Sequence, residues 1–151
     1  GAEMTVGAIY TNLGMAYRLK RNFEIAETYF EQAEKIFKRF SNLTELARAW
    51  NDRGLAYFQS DQWPKAKLHL ENSLKLWRDL GNKIEEIAVL LDITGCQVTR
   101  GNYRAAVPYL EEAEDLLSFT DKDAHYSRFQ PRLERYRNLL AVHCEQHNTA
   151  G

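Results

Sequence analysis

The sequence predicts an all-α fold of three stacked helical hairpins with a helix to close the stack, and three observations carry that prediction. One pattern returns every 40 residues in constant register: Asn22-Phe23, Ala26, Phe30, Ala33; then Gln62-Trp63, Ala66, Leu70, Ser73; then Asn102-Tyr103, Ala106, Leu110, Ala113. A companion pattern precedes the first two copies, Tyr10, Gly14, Tyr17 and Trp50, Gly54, Tyr57, so each copy holds two helical segments. Finally, only eight glycines and three prolines punctuate 151 residues, and apolar residues recur at helical spacing nearly throughout.

Seven helices follow in order. The first covers about 5–20, with Ile9, Tyr10, Leu13 and Tyr17 as its apolar stripe. Asn22 caps the second, which runs to about 40, because its side-chain oxygen accepts from free N–H groups of the first turn. Asn42 with Glu45 has capping-box spacing and opens the third, to about 60. Asp61 or Gln62 starts the fourth, where Pro64 falls in a first turn that needs no N–H, and Gly81 closes it in the left-handed conformation. Asn82 with Glu85 opens the fifth, to about 99, and Gly101-Asn102 opens the sixth, to about 118. A polar break over 118–123 precedes a last helix carrying Tyr126, Phe129, Leu133, Tyr136 and Leu140, broken or offset near Pro131. Gly14 with Ala26, and Gly54 with Ala66, are the expected close crossings within a hairpin; Ala33, Ser73 and Ala113 are the expected contacts with the next.

Composition narrows the function classes. A chain of this length buries roughly 68–70% of its unfolded surface, and one domain is expected. Net charge is −1 with 27% charged residues, so no basic field favours nucleic acid or an anionic membrane. No apolar run reaches the roughly 18 residues of a spanning helix, so no membrane association is expected. Cys96 and Cys144 form neither a disulfide framework nor a CxxC pair, which favours a reducing, cytoplasmic setting. The chain opens Gly-Ala-Glu rather than with Met, so its first residue or two read as a cloning remnant and the whole as a fragment of a longer protein.

The aromatic, Leu-Gly, Tyr, Asn-aromatic, Ala, large apolar, Ala order in Tyr10, Leu13-Gly14, Tyr17, Asn22-Phe23, Ala26, Phe30 and Ala33 resembles the tetratricopeptide repeat family over about residues 7–118. The period of 40 exceeds the family's usual 34, as in its long variants, and Trp77-Arg78-Asp79-Leu80-Gly81-Asn82 looks most like the bacterial version. The resemblance implies a right-handed superhelix with repeats at 7–42, 43–82 and 83–119. Residues 1–6 are then a tail, 120–147 a capping helix and 148–151 a second tail. Arg53 departs from the family pattern in replacing an apolar residue, and Thr94 and Gln97 stand at the small and tyrosine sites of the third copy. Glu134, 40 residues after Thr94, is too large for that small site, so the repeat is not expected to continue.

The resemblance also implies that the first helix of each pair lines a concave groove. Carried over one by one, the groove positions are Thr11, Asn12, Met15, Arg18 and Leu19; then Asn51, Asp52, Leu55, Phe58 and Gln59; then Leu91, Asp92, Gly95, Val98 and Thr99. This apolar centre with amides and two carboxylates suits a peptide or protein segment with apolar anchors. Thr11 and Met15 stand where a basic and asparagine clamp for a C-terminal carboxylate needs Lys and Asn, so a chaperone-tail receptor is not expected.

Other features carry weaker alternatives. His143 and His147 share a helix face around Cys144, but the zinc-protease motif needs Glu directly after the first His, and a solvated helix end explains them. His69 and His125 have no nucleophilic constellation at readable spacing, and His69 is read as a surface residue. Glu111, Glu112, Glu114 and Asp115 read as a solvated face, as do Arg128, Arg132, Arg135 and Arg137 on the last helix, with an acidic partner or nucleic-acid phosphate the lesser alternative for Arg128, Arg132 and Arg135, which share one side. The reading is thus an interaction module in a larger regulatory or signalling protein, not an enzyme, with no cofactor or metal. Self-association or docking within the parent chain is the alternative, and nucleic-acid binding a remote one.

Overall fold

The computed structural model describes residues 1–120 and 122–148, with side chains over 1–120 and 125–145. Among the described residues there are seven α-helices and no strand: α1 (Ala2–Leu19), α2 (Phe23–Arg39), α3 (Leu43–Gln59), α4 (Trp63–Asp79), α5 (Lys83–Thr99), α6 (Tyr103–Ser118) and α7 (Lys122–Asn148). Two expectations are corrected. Residues 2–6, read as a tail, belong to α1, and α7 runs unbroken through Pro131.

The turns explain the even lengths. Asn22, Asn42 and Asn82 accept through Oδ1 from the backbone N–H of Ile25, Glu45 and Glu85, at 3.4, 3.2 and 3.2 Å. The reciprocal half of the box at Glu45 is replaced by an ion pair to Arg48 at 2.8 Å. Gln62 and Asn102 hold the same register without that bond. Each of the first five turns also contains one left-handed residue: Arg21, Ser41, Asp61, Gly81 and Gly101, with φ of 60°, 53°, 62°, 68° and 75°. The next N–H then returns to the helix just ended, as in Asn22 N to Tyr17 O at 2.9 Å and Gln62 N to Tyr57 O at 2.8 Å. Glycine reaches this conformation freely, whereas an L side chain costs about 1–2 kcal/mol there. Only Gly81 was legible as such a stop.

The chain divides into two compact units, Gly1–Leu80 and Gly81–Gly151. The first holds α1–α4, with each helix packed on the next. Phe30, Phe37, Leu70 and Trp77 fill it with almost no exposure. Ala33 and Phe37 of α2 pack with Leu46 and Ala49 of α3, while Ala26 and Phe30 pack with Ala56. The glycines do sit at close approaches, where the nearest neighbours are large side chains of the facing helix. A Cβ on Gly14 would lie 2.7 Å from the Phe30 ring, and one on Gly54 2.8 Å from Leu70 Cγ. Ser73 likewise serves its own hairpin: its buried hydroxyl donates to Ala47 O at 2.7 Å.

The second unit holds α5–α7, and α7 packs on both α6 and α5. The departures at Thr94 and Gln97 are absorbed without loosening the helix. Thr94 is fully buried and donates to Leu90 O at 2.8 Å, and Gln97 is buried. α7 contributes Phe129, Leu133 and Leu140 to this core. Gly95 admits it closely, since a Cβ there would lie 2.5 Å from the Tyr136 hydroxyl oxygen.

Candidate functional site

In the first unit, α1 and α3 hold most of the expected groove positions. Asn12 and Gln59 are exposed and Leu19 is 74% exposed, whereas Met15, Arg18, Asn51, Asp52, Leu55 and Phe58 are half-buried. The two helices are tied at one end of this row, where Arg18 donates to Gln59 Oε1 at 3.2 Å. Phe58 meets Trp63 edge-on with 6.3 Å between ring centroids, which limits its rotamers. Met15 rests on Ala26, Phe30 and Ala56, so its side chain is backed by the core. Thr11 is corrected: it is buried and its hydroxyl donates to Gly7 O at 3.1 Å.

In the second unit the expected positions are more enclosed. Leu91 is fully buried and therefore is not a groove residue. Asp92 pairs with Arg132 of α7 at 2.8 Å, and Gly95 lies under Tyr136. Val98 is half-buried and Thr99 exposed. The α7 arginines are not all solvated, because Arg132 reaches Asp92 and Arg137 reaches Glu114 at 3.0 Å. His143 stacks flat on Tyr103, with ring centroids 4.0 Å apart and 4° between planes. The side chain of His147, the other half of the suggested metal pair, lies outside the described residues, and no metal-holding cluster occurs among those described.

A charged cluster that sequence reasoning missed joins α2 to α3. Arg53 donates to Glu34 at 2.9 Å, Glu31 at 2.8 Å, Glu27 at 3.1 Å and the Tyr57 hydroxyl at 3.1 Å, and Tyr57 donates to Glu27. The signal was present: Glu27, Glu31 and Glu34 have i, i+4, i+7 spacing, opposite an arginine at an apolar register position. Burial works against the Arg53 charge, but Glu34 and Glu27 hold its pKa above the usual value. Burial alone would raise Glu27, yet the bonds from Tyr57 and Arg53 hold it below the ordinary carboxylate range. Burial, together with the bond to Glu27, pushes Tyr57 up to about 12.

His69, expected on the surface, is half-buried against Tyr57 with 5.1 Å between ring centroids, and its Nδ1 bonds Lys65 O at 2.9 Å. Burial lowers its pKa despite that bond. A folded pKa below the unfolded one gives stability that is present above the unfolded value, ~6.5, and lost as pH falls through the folded value. The melting temperature of the chain should therefore drop between pH 7 and 5 by more than that of His69→Gln. Parallel profiles would exclude His69 as the source.

No helix among the described residues is long and apolar enough to cross a membrane. Comparison with curated proteins returns no match. Among solved structures, the crystal structure of aspartyl phosphate phosphatase F from Bacillus subtilis is similar in fold, with a TM-score of 0.73 and 14% identity. The match covers 97% of this chain and 42% of that one, so this chain spans less than half of its length. One tetratricopeptide repeat profile matches residues 45–118 and a second matches residues 6–39, together more than two thirds of the sequence. With the repeated hairpins, their small-residue crossings and these two matches in agreement, the chain belongs to the tetratricopeptide repeat family.

Proposed function

We propose that the exposed sides of α1 and α3 recognise a peptide or protein segment, and that the chain acts by binding rather than by chemistry. The observation that carries this is the row in which half-buried apolar side chains (Met15, Leu55, Phe58) alternate with polar ones (Asn12, Asn51, Arg18). Aromatic and aliphatic anchors fixed by packing lose little rotamer freedom on binding, and that favours recognition. Arg18 spends one of its five N–H groups on Gln59, and the remaining terminal ones give a ligand carbonyl or carboxylate a donor. Cys96 fits a structural role, since burial and the neighbouring Asp92 push its pKa up to about 12, far from thiolate reactivity.

Two free cysteines suit a reducing cytoplasm, and a binding module of stacked repeats suits a place in a larger regulatory or signalling protein, the Trp77–Asn82 segment resembling bacterial members of the family. That neighbour is named a phosphatase, but at 14% identity the likeness speaks for fold. Peptides selected from a displayed library against the chain test the reading. Phe58→Glu is expected to weaken the selected peptides about 30-fold, the ~2 kcal/mol of an interface hot spot. Leu19→Glu, at a position 74% exposed, separates binding from folding, since it adds charge at the rim without touching the core. Unchanged affinity in both variants, with melting intact, would remove the site from α1 and α3.

A further inference from the structure

α7 is anchored on one side and charged on another. Phe129, Leu133 and Leu140 are buried, Tyr136 lies against Gly95, and Arg137 pairs with Glu114 of α6. Arg128, Arg132 and Arg135 follow at i, i+4 and i+7, so they share a different face, spanning roughly 10 Å of helix at 1.5 Å per residue. Arg128 and Arg135 are exposed, and Arg132 is half-buried on Asp92. Farther along the same side stand Leu139, half-buried, and Val142, 54% exposed.

Three features separate this row from an ordinary solvated helix face. All three cations are arginines, whose planar forks match carboxylates in pairs of hydrogen bonds. Two are held in place: Arg132 by Asp92 at 2.8 Å, and Arg128 with its guanidinium carbon 4.8 Å from the Phe129 ring centre. Arg135 makes no ion pair or hydrogen bond among the described residues, and the one acid beside it, Glu134, bonds Gln130 at 2.7 Å.

We propose that this face of α7 binds an acidic protein segment. Carboxylates at helical spacing would meet Arg128 and Arg135, and an apolar residue would reach Leu139 and Val142. The assignment is independent of the α1–α3 surface. It favours a peptide over a nucleic acid because Asp92 neutralises the middle cation and the chain as a whole carries a net charge of −1.

The test uses the whole 151-residue chain and three labelled probes: a helical 16-residue peptide with Glu at i, i+4 and i+7 and Leu one turn beyond, its Lys counterpart, and a single-stranded oligonucleotide. Fluorescence anisotropy should show the Glu peptide bound and the Lys peptide not. The paired change Arg128→Glu with Arg135→Glu should weaken the Glu peptide at least tenfold and confer binding of the Lys peptide. Phe58→Glu should leave the Glu peptide's affinity unaltered, which keeps this surface distinct from the other. Absence of Glu-peptide binding, equal binding by the reversed variant, or tighter binding of the oligonucleotide would each overturn the proposal. Both changed side chains are exposed, so the variant should fold, and a circular dichroism melt checks it.

Discussion

Phe30→Ala is expected to destabilise the chain by about 3–5 kcal/mol, a large share of the 5–15 kcal/mol that holds a typical domain together. Phe30 has no exposure, and its ring fills the crossing of α1 and α2, where Gly14 leaves room for it. The two residues should behave as one unit. Gly14→Ala alone gains about 1 kcal/mol in helix propensity, but places a methyl 2.7 Å from the ring, an overpacking worth about 1–3 kcal/mol. Combined with Phe30→Leu, the added methyl should be better accommodated, giving a favourable coupling of at least ~0.5 kcal/mol in a double-mutant cycle. Urea denaturation of the four proteins measures it, and strict additivity would show that the ring and the glycine do not share the crossing.

Arg53→Met should cost about 3 kcal/mol, near the lower end of the figure for breaking a buried ion pair, because only one of the three acids is well buried. Glu34 is 7% exposed and loses its strongest partner, whereas the Glu31 side chain, 46% exposed, is stabilised by water in either case. The pH dependence should invert. In the unchanged protein Glu27 has a depressed pKa, so its contribution is present above the unfolded value of 4.5 and lost as pH falls below it. Without Arg53, three neighbouring carboxylates favour protonation, and mild acid should stabilise the variant. Adding Glu34→Gln should recover part of the loss at neutral pH. An Arg53→Met protein that melts like the original at pH 7 would show the cluster to be incidental.

The 40-residue register made the helices and their order legible, because aromatic, small and large apolar residues recur where hairpins must cross. Helix starts at Asn22, Asn42 and Asn82 were readable from cap chemistry. The left-handed stops at Arg21, Ser41 and Asp61 were not, since no propensity marks arginine or serine for that conformation. Gly14 and Gly54 were recognised as crossings, but the Phe30 and Leu70 side chains that press on them were not, because spacing along one helix does not say which side chain of another fills the gap. Among the expected groove positions, Thr11 is buried with its hydroxyl turned back on its own helix, which spacing alone did not reveal. Those of α5 were obscured because α7 lies against that helix, and a non-repeating segment carries no register from which its contacts can be read. Arg53 was noticed only as an exception, for want of the acids that α2 turns toward it.

The left-handed residues at 21, 41, 61, 81 and 101 contain errors as well as ending helices. An insertion or deletion within one helix rotates every later side chain of that helix by about 100°, the angle per residue at 3.6 residues per turn. Here such a shift need travel no farther than the next turn, where the reversed backbone and a fresh cap restart the phase. A one-residue slip in α4 would scramble Leu70 and Trp77 while α5 begins again at Asn82 with its own cap. Length changes should therefore accumulate in the turns, and a lineage of such chains can vary its helices one at a time.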